Sequence, residues 1–517
     1  MSGYPPLAKQ ADASSERKTK ESPVDKRPLD RPLNRRRFLG VTLGTASAAA
    51  LAGRGSGVRA QTEQATVAAS GSSKNFNNTE IRIGTSTEYY AYAFRMFQDQ
   101  VEQELGVTLS IDVVPPNDLY ARNMQDYAAG STSYDVNFFL PYQLPDYAPH
   151  MDPLGDLLGQ YGLDPELDDV LPSFRNFYTS WDEQLMALPF DGDLHLLLYN
   201  KDALEAPDLQ QQFEEQYGYP LAAPTDYEQY RQMAEFFNVT AWRKDGGQGF
   251  GTAEGYLEPE WWYENRLASS GAVYFDEEMT PLINSKNAIA AAQNLVDIAA
   301  FVPPGSNTFG YQEVENAIAQ GDVALSINWS SAYRTSTDPA KSKVVGKIGT
   351  AVTPGMMVNG QLIRRPALCT GWVLGVPTYG KNKEAAAHVA WFYTRPEVHT
   401  AHIIDPNTGV DAYRRSSLQS EEFGAKYGTD YVKTIEDSLA VGFPDLQLPN
   451  AFEYYKSLSN QLKEAATGTK PVEDAMNQVA AEWKDITDRM GSDLQREAWN
   501  KAYAAMKAQG IEYIPME

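Results

Sequence analysis

The chain has 517 residues, 42% of them hydrophobic and 11% aromatic, enough apolar material to fill real cores and too much for a disordered chain. Its formal charge is −24; the first 60 residues carry 12 Lys/Arg against 5 Asp/Glu, leaving 32 basic and 63 acidic residues in the body, a balance of −31. A body that acidic repels phosphate backbones and anionic lipid heads, which argues against nucleic acid or a membrane surface as partner.

The first 60 residues read as an address. Arg35 and Arg36 precede Arg37 and the apolar pair Phe38 and Leu39, the pattern of a twin-arginine signal. An uncharged stretch from Phe38 to Gly53 follows and ends near the small-residue site Val58-Arg59-Ala60, which predicts a removable signal peptide over 1–60. Two features depart from that pattern: a long basic region ahead of the apolar stretch, and Arg54 behind it. Residues 61–78 are rich in Gln, Ser, Ala, Gly and Asn without apolar periodicity, and are predicted to be a flexible leader. No later run approaches the roughly 18 apolar residues of a membrane helix, so the mature protein is expected in the periplasm or outside the cell.

From Ile81 onward, short apolar runs alternate with amphipathic stretches. IRIGTS predicts a strand, YAFRMFQDQVEQEL one helix with Phe94, Phe97, Val101 and Leu105 on its apolar face, and TLSIDVV a second strand. YDVNFFL and HLLLYN continue as strands, as do GDVALSINW and GWVLGVP later; helices are expected around 287–301, 382–393 and 452–465. Strand, helix, strand in succession predicts parallel βαβ units, an α/β class and, at this length, two lobes. The single cysteine, Cys369, sits in an apolar run and excludes an intrachain disulfide.

Three segments, ALPFDGDLHLLLYNKDAL (187–204), GDVALSINWSSAY and GWVLGVPTYGKNKEAAAHVAWFYTRPEV (371–398), come in the order found in the extracellular solute-binding proteins of type 1. The Tyr-rich helix LPNAFEYYKSLSNQL adds a fourth match, and the chain resembles that family, whose members include maltose-binding proteins. The resemblance implies a two-lobed periplasmic-binding-protein fold of type II, each lobe a sheet flanked by helices. It implies a first lobe over 79–194 plus 350–410 and a second over 195–349 plus 411–517. It also implies a monomeric substrate-binding component that serves the membrane permease of an ABC importer, with no cofactor and no metal.

Ligands of open α/β lobes sit at the carboxyl ends of strands, which selects Glu88 and Tyr89 after the first strand, Tyr142 and Gln143 after NFFL, and Asp191 and Asp193 at a turn. A sugar needs carboxylates or amides beside flat rings, and this chain supplies both kinds. Asp191 and Asp193 fit three roles: hydroxyl acceptors, an acid/base pair, or caps of the turn around Gly192. Glu258, Trp261 and Trp262, with Tyr256 and Tyr263, mix carboxylate and aromatic groups, as a cleft wall would; a core helix is the alternative. Trp329 ends a strand where the resemblance implies a stacking ring, Trp372 suits either cleft or core, and Arg414 resembles a donor near the ligand-side hinge. One of Tyr454 and Tyr455 is expected to reach the ligand.

His399 and His402 lie three apart but lack a third ligand at metal-helix spacing, and neither a phosphate loop nor a nucleophile elbow occurs. Three functions stay open: a carbohydrate or polyol binder, a polyamine or other small-cation binder of the same fold, and a secreted glycoside-acting enzyme using Asp191 with Glu258.

Overall fold

A computed structural model describes residues 66–67 and 74–517, and the predicted signal peptide lies outside the described residues. Residues Thr62–Glu517 form one structural unit. Its strands are β1 (Thr79–Thr85), β2 (Val107–Val113), β3 (Asn137–Phe139), β4 (Ser180–Trp181), β5 (Gln184–Leu185), β6 (Leu188–Asp191) and β7 (His195–Asn200). They continue with β8 (Phe250–Ala253), β9 (Val323–Trp329), β10 (Ile348–Ala351), β11 (Met356–Val358), β12 (Gln361–Ile363) and β13 (Trp372–Gly375).

Two sheets organise the molecule. In the first, β1 and β2 run parallel, Ile83 bridges Val136 just ahead of β3, and β13 lies antiparallel between β3 and β6. The second has the order β10-β7-β9-β8, with β8 parallel to β9. Every residue of β9 is buried, as are all but Tyr199 in β7, which is why both read as continuous apolar runs and not as alternation. The two-lobed architecture therefore follows from two sheets, each carrying its own helices.

The first core is built on aromatic stacking: Phe94 lies on Phe190 at 4.6 Å, and Phe138 on Trp372 at 4.4 Å and 3°. Burying each such ring contributes about 1.5–3 kcal/mol. The single helix expected over 92–105 is two, Glu88–Met96 and Gln98–Leu105, joined at Phe97. Phe97 leaves helical geometry at φ −117° and sinks into the core against His402 at 5.4 Å. Gly106, at φ 62°, then closes the second helix and leads into β2.

The folded body also starts earlier than Ile81. The Phe76 amide donates to the Leu105 carbonyl at 2.8 Å and the Phe76 ring packs on His388 at 5.2 Å, so this residue anchors what the polar composition predicts as leader.

The chain passes between the two sheets three times. Only the residues between Asp191 and His195 separate β6 in the first sheet from β7 in the second. The predicted return at 350 falls inside β10, which is still paired to β7, so the chain regains the first sheet only at β13. A third passage follows the helix Pro396–Ile404, after which the helix Thr429–Leu439 packs on β7 and β10.

A cleft between the two sheets

A cleft of about 890 Å³ lies at the strand ends. The first sheet contributes Ser86, Thr87, Tyr89 and Tyr90 beyond β1, Leu140 and Tyr142 beyond β3, and Trp372 at the start of β13. Facing them are Trp329 from β9, Ser331 beyond it, and Glu258, Glu260 and Trp261 at the start of the helix Pro259–Ser269. Tyr311 and Gln312 open another helix, and Phe452, Tyr455, Lys456, Ser459, Asn460 and Lys463 come from the helix Ala451–Ala466.

The rings are held by other rings before any ligand arrives. Tyr90 packs on Trp372 at 5.4 Å; Trp261 sits 4.9 Å from Tyr455, and Tyr142 5.1 Å from Tyr455. Trp329 is edge-on to His195 at 4.3 Å and to Tyr311 at 5.4 Å. Locked aromatic faces lower the entropy lost when a ligand packs on them.

Beneath the rings lie acids in a dry setting. Asp191 accepts from Tyr90 Oη and from the Asp411 amide, both at 2.6 Å. Asp193 Oδ2 accepts from the Gly371 amide at 3.0 Å and from Thr370 Oγ1 at 3.1 Å, while the Thr370 amide donates to Asp445 at 3.0 Å. Thus one segment is pinned by a carboxyl from the passage between β6 and β7 and by another from the loop between the helices Thr429–Leu439 and Ala451–Ala466. Its backbone is strained, with Cys369, Thr370 and Gly371 at φ 46°, 79° and 90°, and Thr is a β-branched residue for which such values are costly. Arg334, buried, donates to Asp411 at 2.9 Å and is the cation that partly neutralises this cluster.

Burial holds these acids well above ordinary carboxylates. Desolvation, then the charge of Asp411, pushes Asp191 up to about 7, and desolvation with Asp191 as neighbour raises Asp193 well above its ordinary value. Desolvation likewise pushes Glu260 up to about 8 and Asp445 to about 7.

Of the sequence-predicted residues, Tyr89, Tyr142, Asp193, Glu258, Trp261, Trp329 and Trp372 line the cleft. Five stand outside that lining. Glu88 begins a helix on the surface and pairs with Arg95 at 3.0 Å. The Gln143 side chain accepts from the Leu140 amide at 3.3 Å and so caps its own turn. Asp191 lies one layer under the cleft, its carboxyl capped by Tyr90. Trp262 is fully buried and donates to the Ile327 carbonyl at 2.7 Å, because adjacent residues on a helix point about 100° apart and Trp261 takes the cleft side. Arg414 is spent on the carbonyls of Thr394, Pro165 and Glu166 at 2.8, 2.9 and 3.1 Å.

Several lining residues escape a reading of composition. Tyr311 and Gln312 carry no motif, and Glu260 is overshadowed by Glu258 two residues earlier. Tyr455 and not Tyr454 faces the cleft; Tyr454 bonds to Thr487 at 2.9 Å in the helical core. His399 and His402 are buried and held neutral by desolvation, His402 down to about 4, and among the described residues no group of three or more metal-ligating side chains occurs.

Residues 82–399 match the family model of bacterial extracellular solute-binding proteins. The chain belongs to this family. Within it, the chain is 25% identical over 333 residues to a probable amino-acid ABC transporter periplasmic-binding protein, y4oP, of Sinorhizobium fredii, covering 63% of this chain and 71% of that one. It is 26% identical over 300 residues to a mannitol-binding protein of Pseudomonas aeruginosa, covering 56% of this chain and 63% of that protein, slightly under two thirds of its length. The fold is that of an ABC transporter solute-binding protein of Agrobacterium radiobacter K84 in complex with ribitol. That likeness has a TM-score of 0.68 and 19% identity over 80% of this chain and all of the other. The cleft occupies the space between the two lobes of this fold family.

Proposed function

We propose that the chain is the exported substrate-binding component of an ABC importer and that its cleft captures a neutral sugar or polyol. The observation that carries this reading is the lining itself: rings on both sides, hydroxyl and amide groups between them, and acids held toward the neutral state. Rings pack on C–H faces, worth roughly 0.5–1.5 kcal/mol each beyond the area they bury, and neutral acids pair with hydroxyls as donor and acceptor at once. The solute-binding relatives named for mannitol and solved with ribitol support the same ligand class.

A polyamine would need ionised carboxylates, yet Glu88 is on the surface, Asp191 is covered, and burial raises Asp193, Glu258 and Glu260 above the ordinary carboxylate range, which disfavours their charged forms. An amino acid would need a partner for its carboxylate, and the lining offers Lys456 and Lys463 but no Arg. The Asp191 and Glu258 pair that suggested a glycoside-acting enzyme is split, one under the floor and one at the wall, so the cleft releases its ligand unchanged.

The first lobe in this reading runs from about 79 to Asp191 and from Trp372 to about 410, the second over the intervening and following residues. Ligand touches both lobes only when they close, so binding shifts the open and closed populations and presents the closed form to the permease. The protein acts as a monomer in the periplasm or outside the cell, after twin-arginine export. Calorimetry of the mature protein against polyols, mono- and disaccharides, polyamines and amino acids tests the ligand class. Binding confined to the hydroxylated panel is the expected result, and salt-dependent binding confined to amines would overturn it.

A further inference from the structure

Glu260 lines the cleft at the second position of the helix Pro259–Ser269, is 7% exposed, and has its Oε2 buried without a hydrogen-bond partner. A buried carboxyl oxygen left unpaired is costly, so a ligand that supplied the missing bond would recover that cost. We propose that Glu260 is the selectivity group of this cleft, acting as a neutral carboxylic acid that offers one O–H donor and one C=O acceptor to neighbouring hydroxyls of a sugar or polyol. The inference rests on the ligand class argued above and adds the residue and the protonation state that enforce it.

The groups facing Glu260 pull both ways, and burial decides for the neutral form. On its own helix, Glu258 precedes it and Glu264 follows one turn later, both acidic. From the helix Ala451–Ala466 come the Ser459 hydroxyl, Tyr455, and the cations Lys456 and Lys463; from the turn Pro141–Gln143 comes Tyr142. Desolvation is the largest influence and outweighs the pull of the Ser459 hydroxyl and of Lys463 toward the ionised form, which brings the group to about 8. The carboxyl therefore keeps its proton through neutral pH and loses it above about 8, where a carboxylate can no longer donate.

A neutral polyol should accordingly bind with an affinity that is flat from pH 6 to about 7.5 and falls above 8, approaching tenfold per pH unit once ionisation is complete. An ammonium ligand would do the reverse, tightening through that range and expelling a proton. The test is calorimetry with ribitol, D-mannitol and maltose at pH 6.5 and 9.5, in two buffers of different ionisation heat, on wild type, Glu260→Gln and Glu260→Ala. Gln keeps a neutral donor and acceptor, so it should bind within about threefold of wild type at pH 6.5 and lose the alkaline decline; Ala should bind about ten- to hundredfold more weakly than wild type at pH 6.5 and show no further decline at pH 9.5. An unchanged alkaline decline in Glu260→Gln, or wild-type affinity in Glu260→Ala, overturns the role of Glu260 while leaving the ligand class standing. Binding of none of the three probes, with polyamines or amino acids bound instead, overturns the ligand class and this inference together.

Discussion

The indole N–H of Trp329 donates to the carbonyl oxygen of Cys369 at 2.9 Å, joining the end of β9 to the strained segment that leads into β13. A strand-end tryptophan followed by Ser330 and Ser331 suggests a ring that can be removed without harm to the empty protein. At 8% exposure, with edge contacts to His195, Trp262 and Tyr311, it is cleft lining and structural support at once. Trp329→Ala should therefore cost about 3–5 kcal/mol of unfolding free energy as well as about tenfold or more in affinity. Trp329→Phe separates the two: it keeps a ring and forfeits the bond, so stability should fall by only about 1 kcal/mol with affinity within about threefold. Urea unfolding and calorimetry on both variants decide this, and an Ala variant as stable as wild type would return Trp329 to a purely ligand-facing role.

Arg414 gives the opposite pattern. Its guanidinium satisfies three carbonyls of loops in the first lobe and is 1% exposed, so Arg414→Ala strands those acceptors and opens a void. Stability should drop by about 3 kcal/mol or more while the folded fraction binds ligand as wild type does. A selective loss of affinity with unchanged melting would make Arg414 a ligand group after all.

Apolar-rich runs made β7, β9 and the helix Lys383–Tyr393 legible, because buried strands and helices leave composition as their trace. The site was legible by chemical type and not by direction. Trp261 and Trp262 are adjacent in a helix buried on nearly every side, so no polar stripe fixes which one faces the cleft. Asp191 and Asp193 alternate about Gly192, yet only Asp193 lines the cleft while Tyr90 covers Asp191, a relation between residues 101 apart. An arginine capping carbonyls is indistinguishable in sequence from one awaiting a ligand.

Export provides a test that does not depend on the cleft. Arg35 and Arg36 are the receptor-read pair of the proposed signal, and lysine preserves charge while removing the guanidinium. Replacing both with lysine should leave full-length precursor in the cytoplasm, measured by fractionation and immunoblot. Normal accumulation of the processed form outside the cytoplasm would exclude the twin-arginine route.

Asp445 and Glu264 are both buried near Thr370 and Cys369, Asp445 pushed up to about 7 and Glu264 well above the ordinary carboxylate range, in each case chiefly by desolvation. In the unfolded chain such groups release their protons near pH 4, so between about 4 and 7 the folded state holds protons that the unfolded state has lost. The contribution of Asp445 to stability consequently declines as pH rises through that window and is fully lost above it. His195 and His402, held neutral by burial down to about 3 and 4, act the other way, since the unfolded state takes up their protons below about 6.5. The net curve thus mixes opposing signs, and the difference between wild type and Asp445→Asn isolates the acid. Asn retains an acceptor for the Thr370 amide without a charge to bury, so the variant should gain on wild type steadily from pH 5 to pH 8. Urea unfolding at pH 5, 6.5 and 8 measures that gap, and a gap that stays constant or shrinks with pH would show that Asp445 is ionised in the folded protein throughout.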